Sequence, residues 1–326
     1  MKVLFIGGTG IISSACSELA ISRGIELYHL NRGKSSSLRP ITGVKQIFAD
    51  IRNEEETNKA LEGHSFDVVV DWIAFVPEHI EADIRLFRNR AKQFVFISSA
   101  SIYETPPSSL PVTEKTPLYN PIWKYSQDKI ACENVLKTAW NTEKFPFTIV
   151  RPSHTYDKTL IPMEGGYTLI NRMLQGKPIL IHGDGTSIWT LTNHRDFAKG
   201  LVGLLGNAKA IAEDFHITSD EWLTWNQINQ IFAKELDVDI SIVHVPSDVI
   251  AKYDSQIGDS LLGDKAHSMI FDNSKIKTVV PDFNCSIPFN QGAKEIVNWY
   301  KSNITRQIVD SRIDKLFDTI IEDYNM

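Results

Sequence analysis

Short apolar segments and helical segments alternate along the first half of the chain. The apolar segments predict six buried strands, at residues 2–6, 25–30, 44–48, 67–70, 94–97 and 147–150. Helical patterns lie between them, at residues 13–23, 54–61, 78–90 and 126–140. Strands that alternate with helices are typical of a parallel sheet covered on both faces, so we predict an α/β, doubly wound fold of the Rossmann type. Such a fold binds its ligand at the carboxyl ends of the strands.

The pattern changes after residue 155, where prolines and glycines separate shorter segments. We therefore expect two portions. Residues 1–155, rejoined by about residues 190–215, form the Rossmann domain, and residues 156–326 form a smaller, mainly substrate-binding portion. The stretch from residue 302 to residue 326 has the spacing of an amphipathic helix.

The composition is that of an ordinary globular enzyme. The chain has 326 residues, of which 42% are hydrophobic, and this is enough for a large core. Its net charge of −6 gives no general attraction to polyanions, so we do not expect nucleic acid as its main partner. Three widely spaced cysteines, Cys16, Cys132 and Cys285, favour a reducing compartment and predict neither a disulfide framework nor a metal site.

No segment predicts export or insertion into a membrane. The first apolar run is too short for a signal peptide, and Asp71 interrupts the longest apolar segment. We expect a cytoplasmic protein that acts on a small molecule and has no membrane partner. The sequence leaves open whether the protein forms a homodimer.

The first predicted strand runs into Gly7-Gly8-Thr9-Gly10, and a helix follows. Gly7 and Gly10 are expected to adopt backbone angles that are costly for other residues, and to let a pyrophosphate approach the helix at Ile11 and Ile12. The third position of this nucleotide-binding fingerprint is Ser13 rather than glycine or alanine. A GxxG segment is also typical of an ordinary glycine turn, and this alternative stays open.

The ends of the next strands carry residues that bear on the type of nucleotide. Asn31 and Arg32 end the second strand, Lys34 follows, and no acidic residue is present there. An acidic residue at this point binds the ribose 2′-hydroxyl of NAD, whereas an arginine accommodates the 2′-phosphate of NADP. The sequence therefore favours NADP over NAD, unless the basic segment is simply solvated. Further cofactor contacts are expected after the third and fourth strands, from Asp50, Ile51 and Ala74.

Tyr125 and Lys129 are four residues apart in a predicted helix, which places both side chains on one face. The spacing alone decides nothing, because such pairs also arise by chance. The position of the pair is more informative, since the pair follows a predicted strand that runs into Ser98 and Ser99. Those hydroxyl groups are expected at the carboxyl edge of the sheet, where the ligand binds.

Four motifs occur in a characteristic order: the glycine turn, Ser-Ser-x-x-x-Tyr at residues 98–103, Tyr-x-x-x-Lys at residues 125–129, and Arg-Pro-Ser-His-Thr-Tyr at residues 151–156. Together they resemble the extended short-chain dehydrogenases/reductases of the NAD-dependent epimerase/dehydratase superfamily. The resemblance covers residues 1 to about 200. It extends to an atypical subgroup that includes chloroplast stem-loop-binding proteins.

The resemblance implies roles for individual residues. Tyr125 would exchange a proton with a substrate oxygen, and Ser99 would orient that oxygen. Lys129 would favour the phenolate of Tyr125 by its charge and hold the nicotinamide ribose. Cofactor contacts are further implied for Ser98 and Pro152. Substrate contacts are implied for Ser101, His154 and Trp189.

Departures from the family pattern narrow the reaction. Sugar-nucleotide 4,6-dehydratases carry an Asp-Glu pair directly after the catalytic serine or threonine, and here these positions are Ala100 and Ser101. Dehydration of that type is therefore disfavoured. Trp189 stands where sugar-nucleotide enzymes place a phosphate-clamping arginine, although the indole could equally pack between the two portions of the chain. Other cations that could reach a phosphate are Arg172, Lys177 and Arg195.

These observations predict an NAD(P)-dependent oxidoreductase or epimerase that acts on a hydroxyl/carbonyl pair of a sugar-like small molecule. The alternative is a regulatory or RNA-binding protein that holds a cofactor in the same fold. The acidic charge weighs against RNA binding, and the Tyr-Lys pair favours catalysis.

Overall fold

The computed structural model describes residues 1–33 and 39–324. Lys34 of the basic segment therefore lies outside the described residues, as do the last two positions of the expected C-terminal helix. The described strands are β1 (Lys2–Ile6), β2 (Glu26–Asn31), β3 (Lys45–Phe48), β4 (Val68–Asp71), β5 (Phe94–Ile97), β6 (Phe147–Pro152), β7 (His154–Tyr156), β8 (Ile179–His182), β9 (Ile188–Trp189), β10 (Leu191–Asn193), β11 (Glu213–Ile217), β12 (Leu223–Thr224) and β13 (Ile242–Val245).

The helices fall into two groups along the chain. Those of the first half are α1 (Ile11–Ser22), α2 (Glu54–Ala60), α3 (Pro77–Phe87) and α4 (Lys124–Glu143). Those of the second half are α5 (Tyr167–Leu174), α6 (His194–Leu204), α7 (Trp225–Leu236), α8 (Ser247–Tyr253), α9 (Ser255–Ser260), α10 (Ser274–Val279), α11 (Phe289–Lys301) and α12 (Ser311–Tyr324). The expected C-terminal helix thus begins at Ser311 rather than at residue 302.

A seven-stranded sheet in the order β11-β6-β5-β4-β1-β2-β3 forms the centre of the molecule. All of its neighbouring strands are parallel. The strand order reverses beside β1, so the carboxyl ends of β1 and β4 flank a switch point, where ligands bind in such sheets. The predicted doubly wound α/β fold is confirmed.

Both faces of the sheet are buried, which explains the continuous apolar runs of its strands. Val3 and Phe5 of β1 face the layer that contains α1 and α6, whereas Leu4 and Ile6 face the layer that contains α3 and α4. Complete burial of one such side chain contributes about 1.5–3 kcal/mol.

A second core beside the carboxyl edge of the sheet consists mainly of residues after β6, together with Ala100, Tyr103 and Val112. It contains side chains of α5, α7, α11 and α12, together with Trp189. The amphipathic helix α12 inserts Phe317 and Ile320 between these elements and α8. Among the helices of the described residues, none combines the length and the apolar character that a membrane crossing requires.

Candidate active site

The glycine turn after β1 lies directly above the ring of His29. Gly7 and Gly8 have φ angles of +98° and +106°, which side-chain-bearing residues rarely adopt. A Cβ atom on Gly8 would lie 2.6 Å from the His29 ring. The ring is itself fixed by a contact of 2.9 Å between its Nε2 and the hydroxyl of Ser17. The backbone thus leaves a cradle in which only glycine fits.

Gly10 differs from the expectation. Its φ angle is −77°, so it needs no unusual backbone freedom, and the second glycine with a positive φ angle is Gly8. Gly10 instead stands at the N-cap of α1, where its amide donates to the Ser13 hydroxyl at 2.8 Å. Among the described residues, no side chain caps this helix. The amides at Ile11 and Ile12 therefore retain room for an anionic group, which fits a pyrophosphate.

The residues expected at the adenosine end meet at the ends of β2 and β3. The Asn31 side chain accepts from the Gly33 amide at 2.9 Å. The guanidinium of Arg32 lies 4.0 Å from the Asp50 carboxylate, and both side chains are exposed. Ile51 is buried in the core, so it can contact a ligand only through its backbone.

Lys129 is buried between the loop after β4 and the carboxyl end of β5. Its Nζ donates to the carbonyl oxygens of Ala74 at 2.7 Å and Ile97 at 2.8 Å. It also lies 4.7–4.9 Å from the ring centres of Phe75 and Phe96. Burial lowers the pKa of Lys129 to about 8. Two of the three donor positions of the ammonium are engaged, and one is left for a ligand.

Tyr125 lies one helical turn before Lys129, and the Nζ of Lys129 is 5.8 Å from its ring centre. Burial raises the pKa of the Tyr125 phenol, and a hydrogen bond with Ser99 acts in the opposite direction. Burial therefore keeps the phenol neutral at neutral pH. The charge of Lys129 is not among the groups that shift the pKa of Tyr125.

The hydroxyl groups after β5 form a chain. Ser99 Oγ lies 2.8 Å from Ser101 Oγ, which also accepts from Ser126 at 2.8 Å. Ser101 is buried by these contacts. Ala100 and Ser101 thus offer no carboxyl group directly after Ser99.

One cavity of about 440 Å³ brings most of these groups together. Its lining includes ten of the residues expected to act in catalysis or to bind the cofactor or substrate. They are Ile11, Ile12, Ser98, Ser99, Ser101, Tyr125, Lys129, Pro152, His154 and Trp189. The remaining ones, which include Gly7, Asn31, Arg32 and Asp50, lie along the same edge outside this cavity.

The two expected substrate residues of the C-terminal side are both largely desolvated. Burial lowers the pKa of His154 to about 3, so its ring is neutral, and its Nε2 has no hydrogen-bond partner among the described residues. Trp189 is only 4% exposed and stacks on Trp225, with 5.6 Å between the ring centres. Trp189 therefore packs in the second core and still lines the cavity.

The sequence did not point to several lining residues. Trp72, Phe75 and Trp123 add an aromatic wall, and Asp264 and Lys265 reach the cavity from the second portion of the chain. Aromatic residues after strands give no signal of their own. Asp264 belongs to no motif, so only the tertiary structure brings it to the cavity.

The comparison with protein families decides the class of protein. The model of the NAD dependent epimerase/dehydratase family matches residues 3–218. This chain belongs to that family.

Members and relatives differ in what they do. The chain is 26% identical over 246 residues to chloroplast stem-loop binding protein of 41 kDa b from Arabidopsis thaliana. This match covers 72% of this chain and 62% of that relative. The chain thus spans less than two thirds of the length of this relative. It is 23% identical over 338 residues to a dTDP-glucose 4,6-dehydratase from Xanthomonas campestris, and the match covers 93% of each protein.

Solved structures of the epimerase/dehydratase family share the fold. The crystal structure of UDP-glucuronic acid 4-epimerase from Bacillus cereus, in complex with UDP-glucuronic acid and NAD, matches with a TM-score of 0.74. The match covers 93% of this chain and 99% of that chain at 21% identity. The recognition of an extended short-chain dehydrogenase/reductase from the sequence is confirmed.

Proposed function

We propose that this family member is an NAD(P)-dependent oxidoreductase or epimerase. It would act on a hydroxyl/carbonyl pair of a sugar-like small molecule through Ser99, Tyr125 and Lys129. The observation that carries the proposal is that these three side chains line one cavity at the switch-point edge of the sheet. Lys129 is held there by two backbone carbonyls.

The residues of this edge fit a dinucleotide. The glycine cradle and the uncapped start of α1, with Gly7, Ile11 and Ile12, would hold the pyrophosphate. Asn31, Arg32 and Asp50 would hold the adenosine half. When bound, the nicotinamide supplies a site that accepts or returns a hydride. Ala74, Ser98, Lys129 and Pro152 would surround it.

The protein residues supply the proton chemistry. In oxidation, Tyr125 takes the proton of the substrate hydroxyl as the hydride leaves the same carbon, and in reduction it returns a proton to the carbonyl oxygen. Ser99 donates a hydrogen bond to that oxygen and orients it. The buried positive charge of Lys129 favours the phenolate when Tyr125 must act as a base. An epimerase would run both directions on opposite faces of the substrate.

We favour NADP as the cofactor because Arg32 directly follows β2 and no acidic residue occupies the position that binds a ribose 2′-hydroxyl. NAD stays the alternative cofactor, because the related epimerase structure contains NAD. We disfavour 4,6-dehydration, although one relative is a 4,6-dehydratase, because Ala100 and Ser101 carry no acid and base.

The cytoplasm stays the proposed location, since the three cysteines are free and widely spaced. RNA binding stays a second candidate function because one relative is a stem-loop binding protein. The net charge of −6 speaks against it. Filter binding of structured RNA at two salt concentrations separates the two, since phosphate contacts give a steep dependence on salt.

A thermal-shift screen with NAD, NADP and a panel of sugars and nucleotide sugars tests the main proposal. Binding to the folded state alone raises the melting temperature. Compounds that raise it are then incubated with the protein and cofactor, and turnover is followed by the absorbance of the reduced nicotinamide. The proposal is contradicted if this protein binds neither NAD nor NADP.

A further inference from the structure

Asp264 is a carboxyl group of the cavity that the proposed chemistry does not use. It lies in the π-helical turn Leu261–Lys265, and such turns are rare and recur at functional sites. It lines the same cavity as Tyr125 and Lys129. Within the described part of the chain, its carboxylate makes no hydrogen bond and no ion pair. Asp264 is half-buried, so water can reach its carboxylate, and a ligand that displaces this water must supply a partner for it.

The side chain of Asn120 fixes this turn to the loop after β5. Its Nδ2 donates to the carbonyl oxygen of Ser101 at 3.0 Å and to that of Gly263 at 2.6 Å. Its Oδ1 accepts from the amides of residues 122 and 123, at the start of α4. One buried amide therefore joins the loop after β5, the helix of Tyr125 and the turn of Asp264.

Close packing also holds the turn of Asp264 against the start of α4. A Cβ atom on Gly263 would lie 2.7 Å from the Cβ of Trp123, so only glycine allows the turn to approach the start of α4. Asp264 is the next residue along the chain. The charge of Asp264 is close enough to Tyr125 to raise the pKa of its phenol. The carboxylate therefore has a defined place near the reacting groups.

The cations around the cavity only partly offset the burial of Asp264, since the charge of Lys265 lowers the pKa of this carboxyl without restoring its ordinary value. Lys265 forms an ion pair of 3.4 Å with Glu164, and Lys129 donates to two backbone carbonyls. Burial raises the pKa of Asp264 to about 7. A donor or cation on a ligand would therefore favour the ionised form, whereas an anion would oppose it.

We propose that Asp264 determines the substrate specificity of this cavity by accepting a hydrogen bond from a hydroxyl or protonated amine of the substrate. It would also exclude ligands that place a phosphate or carboxylate at this point. The proposal rests on the proposed function in one respect, namely that the cavity is the substrate site.

The test measures binding rather than turnover. Ligand-observed NMR titrations use protein loaded with NADP and three probes, which are glucose, glucosamine and glucose 1-phosphate. The variant is Asp264→Asn, and the matched control is Asp259→Asn, which removes the same charge from an exposed position five residues earlier. A hydrogen bond to a charged group stabilises by about 1.5–3 kcal/mol, so we expect the variant to bind its preferred sugar about tenfold more weakly or worse.

A loss confined to glucosamine identifies an ammonium as the partner, whereas a loss for both uncharged glucose and glucosamine identifies a hydroxyl. Glucose 1-phosphate should bind the wild type more weakly than glucose does. Asp264→Ser provides a second, smaller replacement if the asparagine variant does not fold. Equal binding by wild type and variant, or no binding of either sugar by the wild type, overturns the proposal. Failure of the proposed chemistry would appear instead in turnover, with sugar binding unchanged.

Discussion

The Nζ of Lys129 donates a hydrogen bond of 2.7 Å to the carbonyl oxygen of Ala74. This contact joins α4 to the loop after β4. The loop is in turn shaped by Asp71, whose Oδ1 accepts from the amides of Ile73 and Ala74. The position of the lysine thus depends on a carboxylate at the end of β4. The loop after β4 therefore borders both the cavity and the edge of the sheet where the cofactor is proposed to bind.

Replacement of Tyr125 by phenylalanine tests the proton-transfer step. Tyr125→Phe removes one hydroxyl from a helix face and should leave the fold and the cofactor affinity unchanged. Since general acid–base groups contribute about 10²–10⁴-fold, we expect turnover to fall by roughly two orders of magnitude or more. Steady-state kinetics with the substrate found in the screen measure the effect.

Tyr119→Phe is the matched control, because Tyr119 is 58% exposed and lies outside the cavity lining. It should retain full activity. Unchanged turnover in Tyr125→Phe would remove the central claim of the proposed function.

Replacement of Arg32 tests the choice of cofactor. We expect the wild type to bind NADP more tightly than NAD, and Arg32→Ala to reduce that preference by about tenfold or more. The reason is that a charge-assisted contact to a phosphate contributes about 1.5–3 kcal/mol. Calorimetry with both dinucleotides measures it.

Arg23→Ala is the control, because Arg23 is exposed at the end of α1, before the amino end of β2. Its removal should leave the preference unchanged. The Arg32 guanidinium lies near Asp50, and this pairing could satisfy both side chains without a phosphate. Equal or tighter binding of NAD by the wild type would refute the prediction.

The sequence predicted the Rossmann half well because its information is local. The strands β1, β4 and β5 are buried on both faces, so each appears as an uninterrupted apolar run. The glycine turn and the Tyr-Lys pair are each contained in a segment of only a few residues. Element ends shifted by one to three residues, as for the helix predicted at 78–90, which is α3 at Pro77–Phe87.

The remaining elements depend on distant partners. Strand β11 carries Asp214 and His216, which look unsuited to a buried strand. In the fold, Arg151 donates to Asp214 at 2.6 Å, and the Tyr103 hydroxyl lies 3.1 Å from a ring nitrogen of His216. No local pattern shows such compensation. Asp264 was missed for the same reason, because only Asn120 and the packing of the turn bring it to the cavity.

A buried acid on α3 predicts an unusual dependence of stability on pH. Asp83 is fully buried beside Asp71, and burial raises its pKa well above the ordinary value. Arg52 acts in the opposite direction and Glu54 in the same one. The folded state therefore keeps a proton that the unfolded chain releases near pH 4, so this group's contribution to stability falls as pH rises from about 4 towards the raised pKa.

Asp83→Asn removes that loss while keeping the shape of the side chain. We expect its free energy of unfolding, relative to the wild type, to increase with pH by up to about 1.4 kcal/mol per pH unit in this range. Urea denaturation at pH 5 and pH 8 measures it. Glu81→Gln, at an exposed position of the same helix, should show no such trend. A difference between Asp83→Asn and wild type that is the same at both pH values contradicts the interpretation.

The pairing of cations in the second half of the chain predicts weak binding of sugar diphosphates. The other cations considered for a phosphate are already paired with carboxylates. Arg172 lies 2.6 Å from Asp314, Lys177 lies 3.0 Å from the same carboxylate, and Arg195 lies 2.7 Å from Glu295. Recruiting any of them for a ligand would break an existing ion pair.

We therefore expect UDP-sugars and dTDP-sugars to bind the cofactor-loaded wild type no better than in the millimolar range, while a smaller or less charged ligand binds more tightly. Trp189→Arg should gain affinity for the diphosphates, and Trp222→Arg, at an exposed tryptophan, should not. Since Trp189 is buried against Trp225, the melting temperature of the variant must show that it folds. The decisive measurement is saturation binding to the wild type itself. Micromolar affinity there would mean that the protein neutralises the diphosphate with other residues, and the substrate class inferred from Trp189 would be wrong.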